Sequence, residues 1–312
     1  MKTAILFSGQ GAQTVGMGRD LIEKYPTAAN LFNKADEVLG CGLRKIILEG
    51  PMEELTRSEY AQPAILLMSW TALQLLKELV PDFHFEGTAG LSLGEFTALT
   101  AAGTFTFEDA ISLVRKRGTY MQEACDATQG GMAAIIALDI EKVREICAET
   151  GIELANLNCP GQLVISGPTP QVIKACELAR ARGAKRALPL AVAGAFHSSL
   201  MASAAPKLQT ALAQVKMASP SIPVISNVTA LPHEQDTAVI AETLIRQVTS
   251  SVLFEASLNY LISEGFTRFI ELGPGTVLCG FLKRISKEVQ ILNVSDLPSL
   301  EQTVACLQAD QS

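Results

Sequence analysis

The stretch Gly90-Leu91-Ser92-Leu93-Gly94 sets a serine between two glycines, the sequence form of a nucleophile elbow. A hydroxyl becomes a useful nucleophile when a base takes its proton and a sharp strand-to-helix turn lifts it into a cleft. At such a turn the positions two residues either side tolerate little more than hydrogen. Taken alone, the pattern equally fits a tight turn that needs two glycines. Three histidines, at 84, 197 and 233, are available as the base. His84 falls in the apolar run before the elbow and reads as pointing into a core or a sheet face. His233 falls among turn-forming residues in Leu231-Pro232-His233-Glu234. His197, in Gly194-Ala195-Phe196-His197-Ser198, is the better candidate; a helix-capping or solvent histidine is the plain alternative. No Asp or Glu stands where a third member of a triad would be recognised, so a backbone carbonyl or amide is expected to orient the base.

Two further features could serve the same chemistry. Gly9-Gln10-Gly11 follows a short apolar run, and glycines around Gln10 let backbone N–H groups approach a ligand closely, as an oxyanion or phosphate pocket requires. The spacing of the next glycine, Gly16, is wrong for a dinucleotide fingerprint, and a plain strand-to-loop turn is the other reading. Arg117 falls in the middle of an apolar stripe formed by Ala110, Leu113, Val114, Met121, Ala124 and Cys125, with Ser112, Arg115, Lys116, Gln122 and Glu123 opposite. An arginine keeps its charge, and burying it unpaired costs several kcal/mol, so it needs an anion: a structural carboxylate, or a substrate carboxylate matched by the guanidinium fork.

The elements that must hold these groups follow from periodicity and breakers. Residues 3–7 read as a buried strand, 83–89 as the strand before the elbow and 95–102 as the helix after it. Apolar residues recur at helical spacing over 28–48. A long helix is expected over 64–79, and Thr106 with Asp109 caps another that runs to about Cys125. From Gly130 the order becomes β-α-β-β-α-β, with strands near 132–138, 152–158, 163–166 and 186–192 and helices over 140–150 and 170–182. That is the split βαβ unit. The chain then returns through a strand at 222–228, helices at 238–248 and 254–264, and a last strand at 267–272 before Gly273-Pro274-Gly275. The fold class is therefore α/β, an α/β-hydrolase-like large domain with an inserted ferredoxin-like small domain: residues 1–128 and 197–312 form the former, 129–196 the latter. A ligand site is expected where the two crossings frame a cleft.

Composition bounds the rest. The 312 residues are 48% hydrophobic and 18% charged, ordinary globular material with a net charge of −7, which argues against a nucleic-acid binder. Seven scattered cysteines without a C-x-x-C pair indicate neither a disulfide framework nor a zinc site. The apolar start is broken by Ser8-Gly9, and no later run is long enough to span a bilayer. A cytoplasmic protein, without a membrane association, is expected.

With Phe7-Ser8-Gly9-Gln10-Gly11-Ala12-Gln13, Gln62-Pro63-Ala64, Gly90 to Phe96, Arg115-Lys116-Arg117-Gly118, Met121-Gln122, the run from Asn156 to Gly167, Gly194 to Ser198, Gln247 and Glu271-Leu272-Gly273-Pro274-Gly275, the chain resembles the malonyl-CoA:acyl carrier protein transacylases and the related acyltransferase domains of fatty acid and polyketide synthesis. The likeness runs over essentially the whole length. It implies malonyl transfer from malonyl-CoA to the phosphopantetheine thiol of an acyl carrier protein, in a ping-pong cycle through malonyl-Ser92 with His197 as base. Backbone N–H groups of Gln10 and Leu93 would form the oxyanion hole, and Arg117 would hold the malonyl carboxylate. Gln62, Met121, Asn156 and Phe196 would line the substrate site, Phe196 crowding an α-methyl branch, and the main-chain carbonyl of Gln247 would orient the histidine. No cofactor or metal is implied, and a monomer is expected. Lys185, Arg186, Lys283 and Arg284 are candidates to dock the acidic carrier protein; two solvated surface pairs are the alternative. Three positions depart from the family pattern: Leu91 for a usual histidine, Ser8 for a usual proline, and Ser251-Val252-Leu253-Phe254 for a usual proline-to-tryptophan run. A serine thioesterase using the same pair with water, a polyketide acyltransferase, and a non-catalytic docking module are the rival readings.

Overall fold

The computed structural model describes residues 1–310; positions 311 and 312, the end of the expected large domain, lie outside the described residues. The strands are, in chain order, β1 (Thr3–Phe7), β2 (Gly87–Gly90), β3 (Gly130–Ile136), β4 (Glu153–Cys159), β5 (Gln162–Pro168), β6 (Arg186–Pro189), β7 (Val224–Ile225), β8 (Arg268–Leu272) and β9 (Gln290–Val294). They form two sheets. The first has the order β7-β2-β1-β8-β9, every pair parallel. Its middle strand β1 is buried along its whole length, as a strand covered by helices on both faces must be. The second is antiparallel, β4-β5-β3-β6, carrying the helices Ile140–Thr150 and Thr169–Ala181. The α/β class with a smaller ferredoxin-like sheet is thus the observed one. Among the described residues no helix is long and apolar enough to cross a membrane.

The elbow sits at the end of β2, where Gly90 leads into the helix Leu93–Ala101. A methyl group on Gly90 would come within 2.1 Å of the Gly94 carbonyl oxygen, and one on Gly94 within 2.2 Å of the Phe7 carbonyl oxygen at the end of β1. The helix can start this close to the sheet only without those side chains. Gly94→Ala is therefore expected to lower the unfolding free energy by about 3 kcal/mol, read by urea denaturation, because the obstacle is backbone rather than a side chain that can swing away. A variant as stable as the parent would show that strand and helix can separate at no cost.

Several elements differ from the sequence reading. The helix expected over 64–79 begins at Ser58, because one internal proline, Pro63, costs a single hydrogen bond in a helix otherwise buried along most of its 22 residues. The periodic stretch 28–48 is two helices, Pro26–Leu39 and Leu43–Glu49, divided at left-handed Gly40 and Gly42. The strand before the elbow is only β2, which leaves His84 exposed in the preceding loop. After β8 the chain adds the helix Val277–Ile285, the edge strand β9 and the helix Leu297–Ala309, none of which was read from sequence.

Candidate active site

Ser92 and His197 come together from the two halves of the chain. Ser92 stands between β2 and the helix Leu93–Ala101 with φ 53° and ψ −98°, and His197 follows the small sheet's return with φ 57°. Both are side-chain-bearing residues held in sparsely populated backbone regions, a strain of order 1–3 kcal/mol each that the surroundings must maintain. Asn227, just beyond β7, maintains it at the serine: its Oδ1 accepts from the Ser92 N–H at 2.6 Å and its Nδ2 donates to the Gly90 carbonyl at 2.7 Å.

The Ser92 hydroxyl lies 2.8 Å from Nε2 of His197, and Nδ1 of that ring lies 3.0 Å from the main-chain carbonyl oxygen of Gln247. A carbonyl only accepts, so in the neutral ring the proton sits on Nδ1 and the Nε2 lone pair faces the serine. Burial, and after it the charge of Arg117, push the imidazole pKa down to about 4. The ring is consequently an unprotonated base at neutral pH.

Arg117 is 1% exposed, projecting from the helix Phe107–Asp126 beneath the elbow. Its guanidinium donates to Gln62 Oε1 at 2.7 Å, to Gln247 Oε1 at 2.8 Å and to the Ser92 hydroxyl at 3.1 Å, and it lies over the Phe96 ring at 5.1 Å. Its Nε has no hydrogen-bond partner among the described residues. Among the described residues no carboxylate reaches ion-pair distance of it, so of the two partners weighed for this charge the structural Asp or Glu is absent. Burial lowers its pKa to about 10, partly offset by the Glu95 charge, and it remains a cation at neutral pH. Gln62 is fixed in turn: its Nε2 approaches Gln10 Oε1 at 3.3 Å and Met121 Sδ at 3.6 Å, while Gln10 Nε2 donates to Ser58 Oγ.

A cavity of about 280 Å³ opens over this cluster, bounded by Gln10, Leu91, Met121, Asn156, Phe196 and His197. It lies between the two sheets. The segment Ser251-Val252-Leu253-Phe254 helps hold the wall, since Val252 exchanges backbone hydrogen bonds with Ala155 and Leu157 of β4. Ser8 directs its hydroxyl to Glu271 and the Pro274 carbonyl, away from the cavity. Of the basic pairs, Lys185, Arg186 and Lys283 are exposed and stand apart from the cavity wall; Arg284 donates to Gln162 Oε1 at 2.9 Å, joining the helix Val277–Ile285 to β5 at the cavity mouth.

An unprotonated imidazole, a hydroxyl on a strained turn and a fixed cation within 3.1 Å of that hydroxyl are the parts for acyl transfer from an anionic donor. The chain matches the model of the Acyl transferase domain over residues 5–310. It belongs to the acyl transferase family. The acyltransferase is 48% identical to the malonyl CoA-acyl carrier protein transacylase of Bacillus subtilis over 99% of this chain and 98% of that one, and 40% identical to that of Staphylococcus aureus over 96% and 97%. Among solved structures it superposes with TM-score 0.94 on acyl-carrier-protein-S-malonyltransferase from Bartonella henselae, at 38% identity over 99% of this chain and 100% of that one. The same score, at 37% identity over 98% and 100%, relates it to a malonyl-transacylase in complex with its type II PKS acyl-carrier protein.

Three residues of this acyltransferase site escaped the sequence reading. Asn227 carries no local signal. His233, read as a loop residue, is buried and meets the carboxylate of Glu95 at 2.6 Å. Glu95 is 0% exposed in an apolar helix, and a charge in that position is the same anomaly that singled out Arg117.

Proposed function

We propose that this acyltransferase moves a malonyl group from malonyl-CoA to the phosphopantetheine thiol of an acyl carrier protein through a malonyl ester on Ser92. The observation that carries the reading is the Arg117 contact: the hydroxyl that His197 deprotonates is also the one a buried guanidinium touches. His197 Nε2 takes the Ser92 proton as Oγ attacks the thioester carbonyl. The carbonyl oxygen becomes an oxyanion, held by backbone N–H groups of Leu93 and Gln10. The Ser92 N–H is not part of that pair, being spent on Asn227. The C–S bond breaks, the imidazolium returns its proton to the CoA sulfur, and the malonyl ester remains. The carrier thiol reverses the sequence, giving its proton to His197 and displacing Ser92 oxygen. Arg117 holds the distal carboxylate throughout, pairing a charge that has no carboxylate partner among the described residues. Met121, Asn156 and Phe196 shape the wall on the acyl side, Gln62 supports it from behind by holding Arg117, and Lys185, Arg186, Lys283 and Arg284 offer basic ground for the carrier.

Intact-mass spectrometry after brief mixing with malonyl-CoA, followed by acyl carrier protein, tests this. The expected result is one malonyl adduct that persists in water and passes to the carrier thiol. Rapid loss to water would instead indicate a hydrolase, and absence of any adduct a docking module.

A further inference from the structure

Glu95 is the third residue of the helix that follows the elbow, and its carboxylate is fully enclosed. Both of its oxygens are engaged: Oε1 faces His233 Nε2 at 2.6 Å and Oε2 faces Gln247 Nε2 at 2.5 Å. The helix N-terminus adds its positive field to these donors, so the buried charge is accounted for. The other end of the same amide, Gln247 Oε1, accepts from Arg117 at 2.8 Å, while Nε2 also donates to the Ser92 carbonyl at 2.9 Å.

A carboxylate accepts only and a guanidinium donates only. An amide between the two has a single satisfiable orientation, NH₂ toward Glu95 and oxygen toward Arg117. Turned over, it would set its NH₂ against a cation and its oxygen against an anion, two buried mismatches. We infer that Glu95, with His233 behind it, is a positioning residue that fixes the facing of the Gln247 amide and thereby holds the Arg117 guanidinium for an anionic acyl group. This deepens the reading of Arg117 as the carboxylate clamp and rests on it. Glu95 reaches Arg117 only through the Gln247 amide, and His233 only through Glu95, so each acts as a positioning group. His233 fixes the carboxylate from behind, its own main chain anchored by an N–H bond to the Val224 carbonyl in β7.

The measurement is the ratio of kcat/KM for malonyl-CoA to that for acetyl-CoA, which a general loss of folded enzyme leaves unmoved. Glu95→Gln keeps the shape but offers the Gln247 amide a group that can donate as well as accept, and the ratio is expected to fall about tenfold. His233→Leu removes the rear donor and should lower the ratio in the same direction. His233→Gln, whose amide can still donate to Oε1, should recover most of it. Arg117→Ala, measured alongside, separates the two levels of the argument. If it leaves the ratio at the parent value, the clamp reading fails and the relay with it. If it lowers the ratio while Glu95→Gln and His233→Leu do not, the relay alone is overturned. Should Glu95→Gln fail to fold, the two His233 variants decide the matter: equal ratios for Leu and Gln would overturn the proposal.

Discussion

Ser92→Ala is expected to abolish the malonyl adduct and to reduce transfer to the carrier thiol by a factor on the order of 10⁴ or more. The hydroxyl at 2.8 Å from His197 is the oxygen that would carry the acyl group, whereas Thr56, whose side chain also lines the cavity, donates its hydroxyl to the Met52 carbonyl. The substitution removes one atom and leaves the turn in place, because the left-handed geometry of residue 92 is imposed by Asn227 and by the packing of Gly90 and Gly94. Binding of malonyl-CoA should therefore survive, since Arg117 keeps its bonds to Gln62 and Gln247. The sharper expectation concerns additivity. His197→Ala should cost nearly as much as Ser92→Ala, and the double variant no more than either, since a base without a nucleophile and a nucleophile without a base are equally idle. Single-turnover transfer with intact-mass readout checks both points. Losses that multiply in the double variant would mean that the two residues act in separate steps.

The parts of the site that were legible in the sequence are those whose physics is local. The Gly-x-Ser-x-Gly elbow shows because both glycines answer a steric demand within five residues, and Arg117 shows because a charge interrupts an apolar stripe on one helix. Glu95 makes the same kind of interruption, yet its meaning depends on Gln247 and His233, more than 130 residues away. Asn227 is a stronger case: it reaches the elbow only because β7 lies beside β2 in the sheet, a pairing that no local pattern encodes. Gln122, placed on the polar face by helical projection, is buried because its side chain accepts from the Ser58 N–H of the neighbouring helix. The small sheet was read in the right order because its strand and helix segments alternate clearly along fewer than 65 residues. The end of the chain was not, because β9 is an edge strand only partly buried and the helix before it, although amphipathic, spans only nine residues.

Arg117→Ala should separate acyl selection from chemistry. A malonyl carboxylate brought to this position without the guanidinium is a buried, uncompensated charge, at a cost of about 3–5 kcal/mol, or roughly 10²–10³-fold or more in kcat/KM for malonyl-CoA. Acetyl-CoA has no carboxylate to lose, and its transfer should fall by less than about tenfold. The same substitution has a pH signature. His197 works as a base only when neutral, hence above its pKa, which burial first and the Arg117 charge second depress to about 4. The acid limb of kcat/KM should accordingly lie near pH 4 in the parent enzyme. Removing the cation removes one of the two depressing causes, so the limb should move up in pH and the active window should shrink from its acid side. Burial remains, so the limb should stop short of the ordinary imidazole value near 6.5. Acetyl-CoA is the donor with which to measure it, because its acyl group carries no carboxylate that could titrate or pair with residue 117. Equal losses on both donors would remove Arg117 from acyl selection, and an acid limb that stays in place would show that its charge is not felt at the base.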